Sequence, residues 1–308
     1  MRVGIYVAPQ EGASYEDQLR AARAGEEHGF DAFVRSDHYL GFAAAQLPGP
    51  TDSWITLAGL ARETSRIELG TMVSSATFRL PGPFAIIVAQ VDAMSGGRVV
   101  LGLGAGWSED EHRACGIPYP PLRERFDRLE EQLAIVRGVW STPVGETFDF
   151  DGRYYHLEGS PALPKPVRRP HPPIIVGGTG AVRTPALAAR YADEFNLPPF
   201  QGTDATREAF ARVSAACEAA GRDPATLARS VTLTTVCGTD QREVERRGSV
   251  SPLQYESADL AGTPAAVAEQ LAQYAALGAD CAYLRVLDLH DLDHIALLGT
   301  EVLPSMRT

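Results

Sequence analysis

The chain has 308 residues, 44% of them hydrophobic and 22% charged, with a formal net charge of −11. That is enough apolar material for a full core, in one large domain or two smaller ones. The acidic balance sets nucleic acid and anionic membranes aside as partners, while a local basic pocket for one small anion stays open. The opening MRVGIYVAP carries one arginine and no long apolar stretch before Gln10-Glu11, unlike a secretory signal. No uninterrupted apolar run reaches the roughly 18 residues that span a bilayer. Cys115, Cys217, Cys237 and Cys281 lie far apart without a C-x-x-C, a pattern of reduced thiols in a cytoplasmic protein rather than of disulfides or zinc ligands.

Short apolar runs alternate with helical patterns along the chain. Val3 to Val7 reads as a strand, and a helix follows from Tyr15, with Ser14 as cap, Asp17 completing the box and Gly29 as stop. Phe33-Val34 opens a second strand that ends at Arg35-Ser36-Asp37-His38. Trp54 to Ala61 reads as helix, Ile67 to Thr71 as strand, Phe84 to Met94 as helix before Gly96-Gly97, and Val99 to Leu103 as a fully apolar strand. Phe126, Leu129, Leu133, Val136 and Trp140 then fall on one face of a long amphipathic helix.

From Thr147 to Leu157, aromatics flank Asp151-Gly152, which predicts an inserted hairpin. Leu163 to Pro173 is a proline-rich extended linker. Ile174 to Val176 resumes the strands. Thr184-Pro185 opens a helix, with threonine as cap and proline first, and Asp223-Pro224 and Thr263-Pro264 repeat that device. Glu194-Phe195-Asn196, Val231 to Val236 and Cys281 to Val286 are the remaining strands.

About eight strand–helix units result. Apolar strands without polar alternation must be covered on both faces, as parallel strands with helical crossovers are. Eight such units close a (β/α)8 TIM barrel, so residues 1–308 are expected to form one barrel domain with the hairpin near 147–157 as an excursion. An open dinucleotide-binding sheet would place G-x-G-x-x-G after the first strand. The chain has Ala-Pro-Gln-Glu-Gly-Ala-Ser there instead.

In a barrel, chemistry sits where strands end. His38 after the second strand suits proton transfer over a bound ring, or a loop histidine bonded to backbone. Gly70 to Ser75 puts small residues at the third strand's tip, where a flat ligand can approach. Gly104-Ala105-Gly106-Trp107 follows the fourth strand, as a ligand wall or as a tight turn with a packed tryptophan. Gly177-Gly178-Thr179-Gly180 precedes a helix start, where free N–H groups and the helix dipole bind phosphate; a plain glycine turn is the other reading. His290 and His294 have metal-ligand spacing but no third ligand, so no metal is expected. The run Arg242 to Arg247 reads most simply as a solvated face.

Taken together, S-D-H-Y at 36–39, G-T-M-V-S-S-A-T-F-R at 70–79 and D-x-x-S-G-G-R-V-V-L-G-L-G-A-G-W at 92–107 resemble the luciferase-like family of flavin monooxygenases and F420-dependent oxidoreductases. E-R-F-D-R-L-E-E-Q-L at 124–133, P-K-P-V-R-R-P-H-P-P-I-I-V-G-G at 164–178 and G-T-P at 262–264 extend the resemblance over nearly the whole chain.

The resemblance implies a cis peptide between Met72 and Val73 behind a deazaflavin ring. It places Asp37 and His38 beside the ring and substrate, and Ser74 and Ser75 at the ring's polar edge. Gly104, Ala105, Gly106 and Trp107 would lie alongside, and Gly177, Gly178 and Thr179 would bind the cofactor phosphate. In the family's sugar-phosphate dehydrogenases an acidic residue occupies the place of Trp107; its absence points to a more apolar substrate and leaves His38 as the proton-transfer candidate. The activity implied is hydride transfer between coenzyme F420 and a small organic molecule, as C=C, C=N or C=O reduction or alcohol oxidation. FMN-dependent monooxygenation is the alternative, and a cofactor-free binding barrel the third reading. The partner expected is a small-molecule substrate, with a homodimer left open.

Overall fold

The structure is a computed structural model and describes residues 1–42 and 47–307. Its frame, among these residues, is eight parallel strands: β1 (Arg2–Val7), β2 (Ala32–Arg35), β3 (Glu68–Thr71), β4 (Val99–Gly104), β5 (Ile174–Gly177), β6 (Glu194–Leu197), β7 (Ala228–Cys237) and β8 (Cys281–Val286). Each pairs with the next, and β8 returns to β1 through Arg2↔Cys281 and Tyr6↔Arg285, so the sheet closes. The expected barrel is therefore present.

The strands are apolar on both faces for a reason visible in the packing. Phe33, Leu69, Leu101 and Val176 join the helices in one large cluster. Ala32, Val34, Val100 and Ile175 alternate with them and meet Met72 and Tyr283 in a second, interior cluster. A one-residue slip would exchange the two sets.

β3 does not stop at Thr71. The Met72–Val73 peptide bond is cis, as the resemblance implies, and Ser74–Ser75 then resumes pairing with Leu103 and Gly104 of β4. The chain thus bulges at the strand tip, and the bulge faces the barrel interior.

Several helix boundaries follow their caps. Ser14 and Asp17 exchange the two bonds of a capping box at the start of Tyr15–Glu27. Asp52 accepts from the N–H groups of Trp54 (2.9 Å) and Ile55 (3.0 Å) at the start of Ser53–Glu63. Helix Leu122–Ser141 buries Leu129, Leu133, Val136 and Trp140 of the face expected from spacing, while Phe126, the first residue of that face, is half-buried.

Other expectations are corrected. The hairpin pairs Phe148–Asp151 with His156–Ser160, so its second strand begins where Leu157 was expected to end it. Thr184 is not a cap: helix Arg183–Tyr191 starts two residues earlier than expected, with Val182 at its N-cap, leaving the Thr184 hydroxyl against the preceding glycine turn. Asp223-Pro224 opens only a short 3-10 turn, Pro224–Thr226. The run 242–247 is not wholly solvated. Arg247 is buried, donates to the Cys237 carbonyl at 2.7 Å and pairs with Asp291 at 2.9 Å. The four cysteines are free, with Cys115 exposed and the other three buried. No helix among the described residues is long and apolar enough to cross a membrane.

Candidate active site

The C-terminal ends of the strands open on a cavity of about 770 Å3. Every strand-end residue given a role by the resemblance lines it, from Asp37 and His38, through Met72 to Ser75 and Gly104 to Trp107, to Gly177, Gly178 and Thr179. The individual side chains are held in different ways, and those ways separate their chemistry.

His38 has a fixed orientation. Its Nδ1 lies 3.0 Å from one Glu111 oxygen and 3.2 Å from the other. The same carboxylate accepts the backbone N–H groups of Tyr39 and, at 3.3 Å, Leu40. An ionised carboxylate only accepts, so Nδ1 carries the proton and Nε2 is left as a lone-pair acceptor in the neutral ring. Nε2 has no hydrogen-bond partner among the described residues, and His38 lines the cavity. The rings of Phe42 (4.8 Å) and Trp107 (5.7 Å) stand edge-on to the imidazole and pack on each other at 4.9 Å. Trp107 is 64% exposed and forms the rim.

Asp37 is committed elsewhere. Its Oδ2 accepts the Ser74 hydroxyl at 2.6 Å and a guanidinium N–H of Arg79, and its side chain is 1% exposed. Arg79 also donates to Asp52 at 2.7 Å and to the Tyr39 hydroxyl at 2.8 Å. Burial pushes Asp52 up, but the Arg79 charge together with hydrogen bonds from Ile55 N–H, Arg79 and Tyr39 holds the carboxyl below its usual range. Asp37 and Ser74 therefore support the wall behind the ring space, and the Ser74 hydroxyl is turned away from it.

Ser75 belongs to a second chain of hydrogen bonds. His112 Nδ1 lies 2.5 Å from the Ser108 carbonyl, which can only accept, so Nδ1 carries the proton and Nε2 accepts from the Thr77 hydroxyl at 2.6 Å. Thr77 Oγ1 then receives the Ser75 proton, also at 2.6 Å. Ser75 Oγ also accepts the Thr77 N–H at 3.4 Å, which leaves one lone pair for a ligand N–H or O–H.

The flat wall is made by absent side chains. A Cβ on Gly104 would stand 2.8 Å from Val73 Cγ2, so only glycine lets the bulge lie against β4. Arg125 donates to the Gly106 carbonyl at 2.6 Å and stacks on Tyr119 at 4.0 Å, which fixes the loop after β4.

At the glycine turn, Gly178 has φ +143, a conformation that favours glycine. Its N–H already donates to the Asn196 carbonyl at 3.1 Å, so it shapes the turn rather than offering a donor. The Thr179 and Gly180 N–H groups have no partner among the described residues, and Thr184 Oγ1 faces them from the first helical turn. Free amides, a hydroxyl and a helix N-terminus together suit a phosphate.

Glu111, His112 and Arg79 were not assigned roles from sequence. Glu111 and His112 sit on a six-residue helix, Glu109–Ala114, just past Trp107. The acidic first turn Glu109-Asp110-Glu111 was the available signal. His290 and His294 do not converge: His290 is exposed, while buried His294 accepts the Cys237 N–H at 3.0 Å. No cluster of three metal-ligating side chains occurs among the described residues.

A closed (β/α)8 barrel with a ring-sized cavity at its strand ends defines the class. The luciferase-like monooxygenase family model matches residues 1–255, and the chain belongs to that family. An F420-dependent glucose-6-phosphate dehydrogenase from Nakamurella multipartita is 37% identical over 181 residues, 56% of this chain and 49% of the relative. An F420-dependent hydroxymycolic acid dehydrogenase from Mycobacterium tuberculosis is 34% identical over 236 residues, 73% of this chain and 60% of the relative. The chain thus spans about half to three-fifths of the length of these curated relatives. A solved F420-dependent secondary alcohol dehydrogenase superposes with TM-score 0.86 at 18% identity, covering 100% of this chain and 99% of that one. At that identity the likeness speaks for the fold.

Proposed function

We propose that this chain is an F420-dependent oxidoreductase moving a hydride between the deazaflavin and a small, largely apolar organic substrate, with His38 exchanging the proton. The observation that carries the reading is the imidazole held by Glu111 with Nε2 free toward the cavity. The naming of the relatives in Nakamurella and Mycobacterium supports the cofactor.

The residues present fit a deazaflavin. Val73 on Gly104 gives a flat wall, Ser75 offers a lone pair to a ring N–H, and Thr179, Gly180 and Thr184 offer donors to a phosphate. Bound there, the deazaflavin would supply the carbon that gives or takes the hydride.

His38 Nε2 takes the hydroxyl proton when an alcohol is oxidised, and returns it from the same atom when a carbonyl is reduced. Glu111 stabilises the imidazolium that forms between those events. Phe42 and Trp107 cover the imidazole and limit water there.

Equilibrium fluorescence titration with F420 and FMN in parallel tests the reading. F420 binding is expected. The family match favours a flavin monooxygenase as the second reading. FMN binding without F420 binding would establish that reading instead, and binding of neither would leave a cofactor-free barrel.

A further inference from the structure

Charged side chains that line the cavity have partners, with one exception. Asp37 is paired with Arg79, and the Glu111 carboxylate accepts hydrogen bonds from the His38 imidazole and two backbone N–H groups. The Arg285 side chain, at the end of β8, has no hydrogen bond or ion pair among the described residues. Its Cζ lies 6.0 Å from the centre of the Tyr6 ring and 6.0 Å from that of Phe200. Asp259 is the carboxylate on the neighbouring segment. Its oxygens accept the N–H groups of Phe200 (2.9 Å) and Thr234 (2.9 Å) and make no ion pair with Arg285. Arg285 thus brings a guanidinium with no hydrogen-bonded carboxylate into a largely apolar cavity, where the Asp259 charge acts on it only at longer range.

The barrel order decides which ligand meets this charge. The flat wall is built by the tip of β3 and by β4, and the phosphate turn follows β5. β8 lies four strands from β4 in a ring of eight, on the far side of the opening, and two strands from β2, which precedes His38. A ligand ring against Val73 and Gly104 leaves Arg285 facing the space where a substrate would reach His38. Tyr6 and Phe200, the rings nearest the guanidinium, line the same cavity.

We propose that Arg285 is an anion anchor for the substrate, and that the substrate class is small organic acids: an apolar body with a carboxylate at one end and the reacting carbon at the other. This rests on the reading of the cavity as a substrate site given above. It also restricts that reading, because neutral alcohols and ketones leave the charge unpaired. The planar fork of arginine binds a carboxylate through two parallel N–H···O bonds, and the low-dielectric walls strengthen both. Phe78 and Leu122 add apolar lining to the same cavity.

Calorimetric titration with 3-phenylpropanoate and its neutral isostere 3-phenylpropanamide tests the proposal, with and without F420. The acid is expected to bind the wild-type protein at least tenfold more tightly than the amide. Arg285→Gln is expected to erase that preference by weakening the acid alone, and to leave F420 affinity within twofold. Arg285→Lys keeps the charge without the fork and is expected to retain a few-fold preference, which keeps the test open should the glutamine variant not fold. Equal binding of acid and amide by the wild-type protein, or no binding of the acid, overturns the proposal. A tenfold loss of F420 affinity in Arg285→Gln also overturns it, because the charge would then serve the cofactor. A wild-type protein that prefers the acid but binds no F420, with the preference lost in Arg285→Gln, would sustain the anion site while removing the F420 reading.

Discussion

Glu111 and His38 are 73 residues apart in sequence, yet the Glu111 carboxylate, 1% exposed, holds the His38 imidazole through Nδ1 at 3.0 Å. The contact does more than position the ring, because it selects the tautomer. In Glu111→Gln the amide oxygen would stay with the Tyr39 and Leu40 N–H groups, and the NH2 group would face Nδ1. Nδ1 would then accept, and Nε2 would carry the proton. The neutral ring could no longer take a proton from an alcohol. Single-turnover hydride transfer is expected to fall by about 100-fold or more, with F420 affinity unchanged. The 15N shifts of His38 report the tautomer without any substrate. An unchanged Nδ1–H form in the variant would remove this role from Glu111.

Arg79 lies between two carboxylates, Asp37 and Asp52, with Asp37 only 1% exposed. Arg79→Met leaves a buried negative charge with only the Ser74 hydroxyl to satisfy it. Removing one partner of a buried pair costs about 3–5 kcal/mol. Urea unfolding at neutral pH is expected to show a loss of that order. Asp37→Asn in the same background should restore a substantial part, because it removes the stranded charge. A loss below about 1 kcal/mol in Arg79→Met would mean that water and Ser74 satisfy Asp37.

The barrel and its strand ends were legible in sequence because both are local signals. Apolar runs such as Val99–Leu103 mark strands buried on both faces, and residues directly after a strand's end must stand at the opening. The bonds that give those residues distinct chemistry were not legible. Asp37 and His38 are adjacent in sequence, but one meets Arg79 and the other Glu111, through contacts 42 and 73 residues away. Glu111 was concealed further by its helix of six residues, too short to show a period. Arg285 carries no local pattern at all: that its side chain lacks a hydrogen-bonded partner is a property of the closed barrel. Arg247 misled because charge runs are usually solvated, whereas here β7 and Asp291 bury one member.

His294 gives the fold a pH dependence of known sign. Burial pushes its imidazole down to about 4, and the Arg247 charge adds to that push. The folded protein therefore binds fewer protons than the unfolded chain between pH 6.5 and about 4. Stability from this group is fully present above pH 6.5 and is lost as pH falls through that window. The loss by pH 5 is about 2 kcal/mol. His294→Gln keeps an acceptor for the Cys237 N–H without a titrating group. Urea midpoints measured from pH 8 to pH 5 should fall more steeply for the wild-type protein than for the variant. Parallel curves would show that His294 titrates normally.

The final prediction concerns the turn after β5. An acidic substitution at Gly178 would be a poor probe of phosphate binding. Gly178 has φ +143, so any side chain there strains the backbone as well as blocking the site. Thr184 separates the two effects. It is buried on the first turn of helix Arg183–Tyr191, and its Oγ1 would lie 2.6 Å from a Cβ placed on Gly180. The hydroxyl thus stands beside the unpartnered N–H groups of Thr179 and Gly180. Thr184→Val keeps the shape and removes only the donor. A hydrogen bond to a charged group contributes about 1.5–3 kcal/mol, so F420 affinity is expected to fall by about 10-fold to 100-fold. The deazaflavin nucleus without its phosphate should bind the wild-type protein and the variant equally. Thermal midpoints within about 2 °C of each other would show the fold intact. If fluorescence titration finds both ligands weakened alike, Thr184 supports the pocket generally. If neither is weakened, the phosphate lies elsewhere. Only selective loss of the phosphorylated cofactor places its phosphate at the junction of this glycine turn and helix.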